Sequence, residues 1–499
     1  MKKYTIWMAL LLMIVSACSK KESTPSVPDT FNSVETEAPI YPDYTNVTVP
    51  QNIAPLHFTV DCEGDEFVTQ FRVGDKTWNV GGQDVCISTE DWNALKKAAL
   101  GQSATVSVYV KQNGEWTRFN PFSISVSEDK IDPYISYRLI APSYVTYEGL
   151  TINQRCLETY EEKVVYSNMI NTREKDGQCI NCHAYQNGNP DRMQFHCRQH
   201  LGGTVIVYDG KVKKVQIGHK LKEMPGDTVK SGGVYPAWHP TLPVIAYSSN
   251  STGQSFHTKD LQKIEVQDTY SDLILYDVEK EQAFTISNDS INMDCFPTWS
   301  PDGKWLYYCS ANYIQKNTAI TREMDLIQNY QDVHYNLYRR PFNPETRKMG
   351  AQELVLDVAK DSLSATLPRI SPDGRYLMFT MAPYGVFHIW HNTADLYMLD
   401  LQSGELRCCE ELNSPEVESF HNWSTNGHWV IFSSRRTDGN FTRPFMAHTD
   451  GKGHFSKPFE LPQDNPHYHQ ELMRSYNVPE FMTGPVTVTP QEFAKAIKE

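Results

Sequence analysis

The chain has 499 residues, 46 Lys plus Arg against 60 Asp plus Glu, and a formal net charge of −14. So acidic a chain offers no basic stripe to neutralise phosphates, which argues against a nucleic-acid partner. Its length suits two or three domains, and its 11 cysteines call for an account of each compartment they meet.

Lys2 and Lys3 form a positive start, and Ile6 to Val15 an apolar run of signal-peptide length. Val15-Ser16-Ala17-Cys18 follows and resembles the lipobox of bacterial lipoproteins. That resemblance implies a signal peptide over residues 1–17 and lipid on Cys18, hence an exported protein held to a membrane without a spanning helix. Ser19 after Cys18 points to the outer membrane, facing the periplasm or the cell surface. Residues 18–39 are rich in Ser, Thr, Pro and Glu and read as a disordered tether.

Residues 40–128 read as a small β domain. Alternating runs recur at Leu56–Val60, Phe67–Val73, Thr105–Val110 and Phe122–Val126, with turns at Gly81-Gly82 and Asn113-Gly114. Ser88 to Leu100 reads as one helix, capped by Ser88 or Thr89 and ended by Gly101. An immunoglobulin-like β-sandwich fits this pattern. Cys62 and Cys86 would make a disulfide in an exported domain.

The remainder repeats. Four stretches match: Tyr235-Pro-Ala-Trp-His-Pro with Val244–Asn250; Phe296-Pro-Thr-Trp-Ser-Pro-Asp-Gly with Trp305–Ser310; Leu367-Pro-Arg-Ile-Ser-Pro-Asp-Gly with Arg375–Thr380; and Phe420-His-Asn-Trp-Ser-Thr-Asn-Gly with His428–Ser434. Each is an apolar turn, an Asp-Gly-type loop and an alternating strand, followed by a hairpin. Asp302 and Asp373 read as turn formers rather than calcium ligands. This pattern resembles the TolB-type, WD-like β-propeller repeat. The resemblance implies an all-β propeller over residues 129–462. Cys182-His-Ala-Tyr185 fits a fifth copy, and Tyr134–Leu139 with Leu150–Val165 a weaker sixth. Six blades are expected, or five if the latter is a connector. Residues 463–499 are left as a C-terminal extension.

The chemistry lies in Cys179-Ile-Asn-Cys-His183, within a repeat spanning residues 179–217. Cys-X-X-Cys-His is the attachment motif of haem c: two thioethers hold the porphyrin, and His183 is then the proximal iron ligand. A thioredoxin-like pair would open a helix in a βαβ setting, and none is readable here. A zinc site would need more ligands, for which His196 and Cys197 are the nearest source. The sixth iron ligand is read as His196 or Met193, on opposite faces of the following strand, with an open position as the third option. Arg198 is a candidate partner for a haem propionate. The repeat places the haem at a blade loop, near the channel mouth. His239, His388, His391 and His421 fall near repeat turns, and His467-Tyr-His469 has weak metal-like spacing.

Besides these repeats, Gly202–Val205, Ile389–His391 and Phe432–Arg436 resemble Bacteroidetes-type lipoproteins with a TolB-like propeller and one haem c motif. The resemblance implies a monohaem electron carrier with an envelope redox partner. The alternatives are an envelope interaction scaffold with a structural or redox-sensing haem, or an enzyme at an open haem.

Overall fold

A short apolar-turn repeat recurs once in each of six antiparallel sheets, and this recurrence organises the fold. The computed structural model describes residues 25–141, 149–172, 177–222, 232–259 and 264–499. The protein is all-β. Six sheets of four or five strands are arranged so that the first strand of each touches the first strand of the next. These inner strands are Gln178–Gln186, Val234–Trp238, Asn292–Trp299, Ser364–Ile370, Glu418–Trp423 and, closing the ring, Ser475–Met482. Such radial repetition leaves few exposed strand edges and defines a β-propeller.

Ser475–Met482 corrects the expected boundary at residue 462. This strand pairs antiparallel with Tyr134–Ile140 and is the inner strand of the first sheet. The chain therefore closes its ring by joining its two ends. The stretch Tyr134–Val165 is accordingly a full sheet rather than a connector.

Every inner strand carries a bulge at the same place. Cys182, Tyr235, Phe296, Leu367, Phe420 and Val478 all have positive φ, between 47° and 55°. The pairing register slips at each of them. A non-glycine residue in this conformation costs about 1–2 kcal/mol, so the surroundings must hold it. Part of that hold is visible. The indole N–H of Trp299 donates to the Ala237 carbonyl of the preceding sheet at 3.0 Å, and that of Trp238 donates to the Ala184 carbonyl at 3.3 Å.

The loops after the bulges behave as turns. Asp302 accepts from Ser300 Oγ at 2.6 Å and from the Lys304 N–H at 3.0 Å, and Gly303 takes φ +69°. Asn426 does the same for Ser424 and His428, so Ser424-Thr-Asn-Gly427 keeps the turn without an aspartate.

The N-terminal unit has a seven-stranded sheet, a three-stranded sheet and the helix Thr89–Ala98, capped by Ser88. Its core of Val47, Phe58, Phe71, Trp92 and Ile124 runs without a break into Tyr137, Trp429 and Tyr476 of the propeller. Two expectations need correction here. The tether does not extend to residue 39, because Asn32–Glu37 forms an edge strand parallel to Glu115–Asn120. All six of its side chains are exposed, so backbone pairing rather than burial orders it. Cys62 and Cys86 are free thiols. Phe58 pairs with Val85 and Thr59 with Asp84. That register sets Cys86 opposite His57, five residues or roughly 16 Å of extended chain from Cys62. A disulfide needs Cα atoms within about 7 Å.

No helix among the described residues is long and apolar enough to cross a membrane. Cys18, the expected lipid site, lies outside the described residues.

Candidate functional site

The inner strands enclose a cavity of about 1100 Å³ along the ring axis. Cys179, Cys182 and His183 all line it. They do so from within the strand Gln178–Gln186, which corrects their expected place in a blade loop. The bulge, not a loop, is what turns these side chains. The turn of this sheet is Asn187-Gly188, and Cys179 pairs with Arg198 at the far end of the hairpin from it. The motif therefore runs from mid-channel away from the mouth formed by the Asp-Gly turns.

At mid-channel the six bulge residues form an apolar collar. Tyr235 and Phe296 rings lie 4.3 Å apart, and Phe387 reaches in to sit 6.3 Å from Tyr235 and 6.1 Å from Phe420. Cys182 is the collar's sulfur-bearing member. Burial pushes its thiol up, against the pull of the Tyr235 main chain, Arg198 and Arg138. Cys179 receives a contact from Arg198 Nη2 at 3.5 Å.

His183 occupies the second repeat position, held by Pro236, Pro297, Pro368 and Pro479 elsewhere and by His421 in the sixth sheet. It is 2% exposed. Neither ring nitrogen meets a partner at hydrogen-bond geometry. Burial first, and Arg138 second, push it down to about 4, against a weaker pull from the main chain of Val478 and Ser136. It is a neutral imidazole at neutral pH, with a lone pair to give. By contrast, His421 points its Nε2 at the Met378 carbonyl at 3.0 Å.

The two candidate partners of His183 separate cleanly. His196 lines the cavity, with Nδ1 held to Thr204 Oγ1 at 3.1 Å. Burial and Arg198 push it down to about 4, so it too is neutral. Met193 does not line the cavity. It is fully buried in a core with Phe195, Val205 and Phe493. Strand alternation gives the reason: residues three apart face opposite sides. Met193→Ala should cost about 2–5 kcal/mol in a denaturant melt and leave the cavity's chemistry unchanged. A melt unchanged from the parent would place Met193 outside the core.

Other histidines have structural partners. His239 faces the Gly303 carbonyl at 3.1 Å and accepts from the N–H groups of Thr241 and Leu242. His388 is held by Thr366 and Gly385, and His391 by Glu265 at 3.2 Å. His469 is buried against Glu460 and Tyr476, while His467 meets Asp84 at 2.9 Å. Among the described residues no group of three or more His, Cys, Asp or Glu is placed to hold a metal ion. The zinc alternative through His196 and Cys197 is thus not assembled.

Glu480 is a site residue that sequence reasoning missed. It lines the cavity and accepts from the Tyr185 N–H at 3.1 Å. The signal was present as Val478-Pro-Glu-Phe481, a sixth copy of the repeat detached from its own turn. Burial pushes Glu480 up to about 7, against the Tyr185 N–H and Arg369. Its folded value lies above the unfolded one, so its contribution to stability is full below the ordinary carboxylate value. That contribution is lost as pH rises through about 7. Relative to the parent, Glu480→Gln should therefore gain melting temperature from pH 5 to about pH 7 and level off above it. A gap that stays constant across that range would contradict the assignment.

No protein-family model and no curated protein matches the chain. Among solved structures it is similar to the tricorn protease, at 12% identity and TM-score 0.34, over 73% of this chain and 34% of that one. It is similar to an ACO/RPE65 chimera, at 9% identity and TM-score 0.38, over 90% and 97%. It is also similar to a DUF4784 family protein from Bacteroides caccae, at 10% identity and TM-score 0.29, over 77% and 98%. The chain spans about a third of the tricorn protease chain. None of these likenesses bears on chemistry, and the radial order of the sheets rests on strand pairing within each sheet and contact between neighbouring inner strands.

Proposed function

We propose that this protein is a lipid-anchored monohaem c-type cytochrome on a TolB-like propeller. In this reading it passes single electrons to or from a redox partner in the cell envelope. The observation that carries it is the joint placement of Cys179, Cys182 and His183 on one apolar-collared cavity. His183 is buried there, near the main chain of Val478 and Ser136, and neither ring nitrogen meets a partner at full hydrogen-bond geometry. A buried polar group without a partner costs free energy unless something satisfies it.

The residues present fit a haem c. When bound, it supplies a one-electron iron couple. Cys179 and Cys182 would hold it by thioethers, and His183 would offer a neutral nitrogen as proximal ligand. His196 is neutral, faces the same cavity and is fixed in orientation by Thr204, so it would offer a second nitrogen to the iron. Arg198 and Arg138 line the same cavity and would balance the carboxylates of the group. Tyr235, Phe296 and Phe420 would give the bound group aromatic surroundings. The N-terminal unit would be an immunoglobulin-like spacer, with lipid on Cys18 holding the assembly to the outer membrane.

Absorption spectra of protein from a haem-c-maturing host test this reading. The expected result is a six-coordinate low-spin spectrum that cycles reversibly on reduction. His196→Ala should lose low-spin character, and Met193→Ala should keep it. Protein matured in such a host that lacks any haem absorption would overturn the proposal.

A further inference from the structure

The third position of the inner-strand repeat forms a second ring, between the collar and the mouth at the Asp-Gly turns. Its members are Ala184, Ala237, Thr298, Arg369, Asn422 and Glu480, all lining the cavity. The ring is lopsided. Three sheets close with Ala or Thr at this place, so propeller closure does not require the charges carried by the other half.

Neither charge has an ion-pair partner among the described residues. Arg369 donates from Nη1 to the adjacent Pro368 carbonyl at 3.2 Å, and among the described residues it forms no ion pair. Glu480 lies near enough for each charge to influence the other, yet the two are not joined by a salt bridge. One Glu480 oxygen takes the Tyr185 N–H. Asn422 is fixed through its oxygen, which accepts from the Phe481 N–H at 3.2 Å. Its amide nitrogen remains available to the cavity.

His421 adds an independent sign. It is 3% exposed and lines the same cavity. Because its Nε2 faces the Met378 carbonyl, Nε2 carries the proton, and Nδ1 is left as an acceptor. That Nδ1 is buried without a partner. The wall thus sets a guanidinium and an amide donor beside a carboxylate and an imidazole acceptor. A molecule that satisfies it carries an anionic group and, one or two bonds away, a strong donor.

We infer that this wall is a binding site for a small free α-amino acid, with its carboxylate on Arg369 and Asn422 and its ammonium group on Glu480. A guanidinium and a carboxylate form two parallel hydrogen bonds, which fixes the ligand's orientation. The small side of the ring leaves room for the side chain. The site lies on the mouth side of the collar and uses none of Cys179, Cys182 and His183, so it stands or falls apart from the haem reading.

Isothermal titration of the full chain tests the inference, with alanine, serine and glutamate as probes and lactate as the hydroxy-acid counterpart of alanine. At least one amino acid should bind, and alanine should bind about tenfold more tightly than lactate. Arg369→Met should weaken binding at least about tenfold. Glu480→Gln should bring alanine and lactate together. Three results would overturn the site: no amino acid binds, Arg369→Met binds as the parent does, or Glu480→Gln keeps the preference for alanine. Should circular dichroism show Arg369→Met to be misfolded, Arg369→Lys decides instead. Lysine keeps the charge but loses the fork, so unchanged affinity in that variant also overturns the site.

Discussion

A chain carrying Cys179→Ala and Cys182→Ala will leave a haem-c-maturing host with no haem that survives denaturation. With both cysteines gone no thioether can form, so this is the largest chemical effect the account predicts. The fold should persist. Other sheets place Tyr235, Phe296, Leu367, Phe420 and Val478 where Cys182 stands, so the collar does not depend on a thiol. Cys179 is one small member of a core that also holds Phe195, Tyr166 and Phe493. His183→Ala separates attachment from ligation. It should keep the haem on its cysteines and change the spin state. The check is denaturing electrophoresis with haem staining, alongside far-ultraviolet circular dichroism. Haem that stays with the denatured double variant would contradict the assignment.

Truncation before Ser475 will abolish cooperative folding. The segment supplies the inner strand of the first sheet, with registered pairs from Ser475 to Met482 against Tyr134–Ile140. It also buries Tyr476, Phe481 and Met482, followed by Phe493 and Ile497 of the last helix. Each such side chain contributes about 1.5–3 kcal/mol when fully buried. Together they rival the whole stability of an ordinary domain, about 5–15 kcal/mol. The loss also opens the ring, exposing the edges of Tyr134–Ile140 and Glu418–Trp423. A shorter deletion, from Pro490 onward, should remove only the capped helix and leave a destabilised but cooperative melt. Thermal circular dichroism distinguishes the two. A truncation at Ser475 that melts like the full chain would contradict ring closure by the C-terminal strand.

The repeats were legible because an aromatic, a proline and a tryptophan stand in fixed order before an Asp-Gly turn. Phe296-Pro-Thr-Trp299 announces itself for that reason. Val478-Pro-Glu-Phe481 did not, because its sheet takes its remaining strands from the other end of the propeller and the turn signal is absent. The edge strand Asn32–Glu37 was illegible for a different reason: no side chain is buried, so no alternation marks it. The cysteine and histidine spacing was legible, but not its place within a strand, since motif spacing carries no information about a bulge. Alternation alone was enough to set His196 and Met193 on opposite faces. Which face meets the cavity became readable only with the sheet in place. Partners also lay beyond the sequence. His183 and His421 share one repeat position, yet only His421 meets a carbonyl at full hydrogen-bond geometry.

The central claim is that this propeller carries haem on Cys179 and Cys182. Intact-mass analysis of the denatured chain, followed by sequencing of its haem-bearing peptide, tests it most directly. The account predicts one haem per chain, on the peptide that contains Cys179 to His183. A chain of apoprotein mass from a host that matures other c-type cytochromes, or haem on any other peptide, would contradict it.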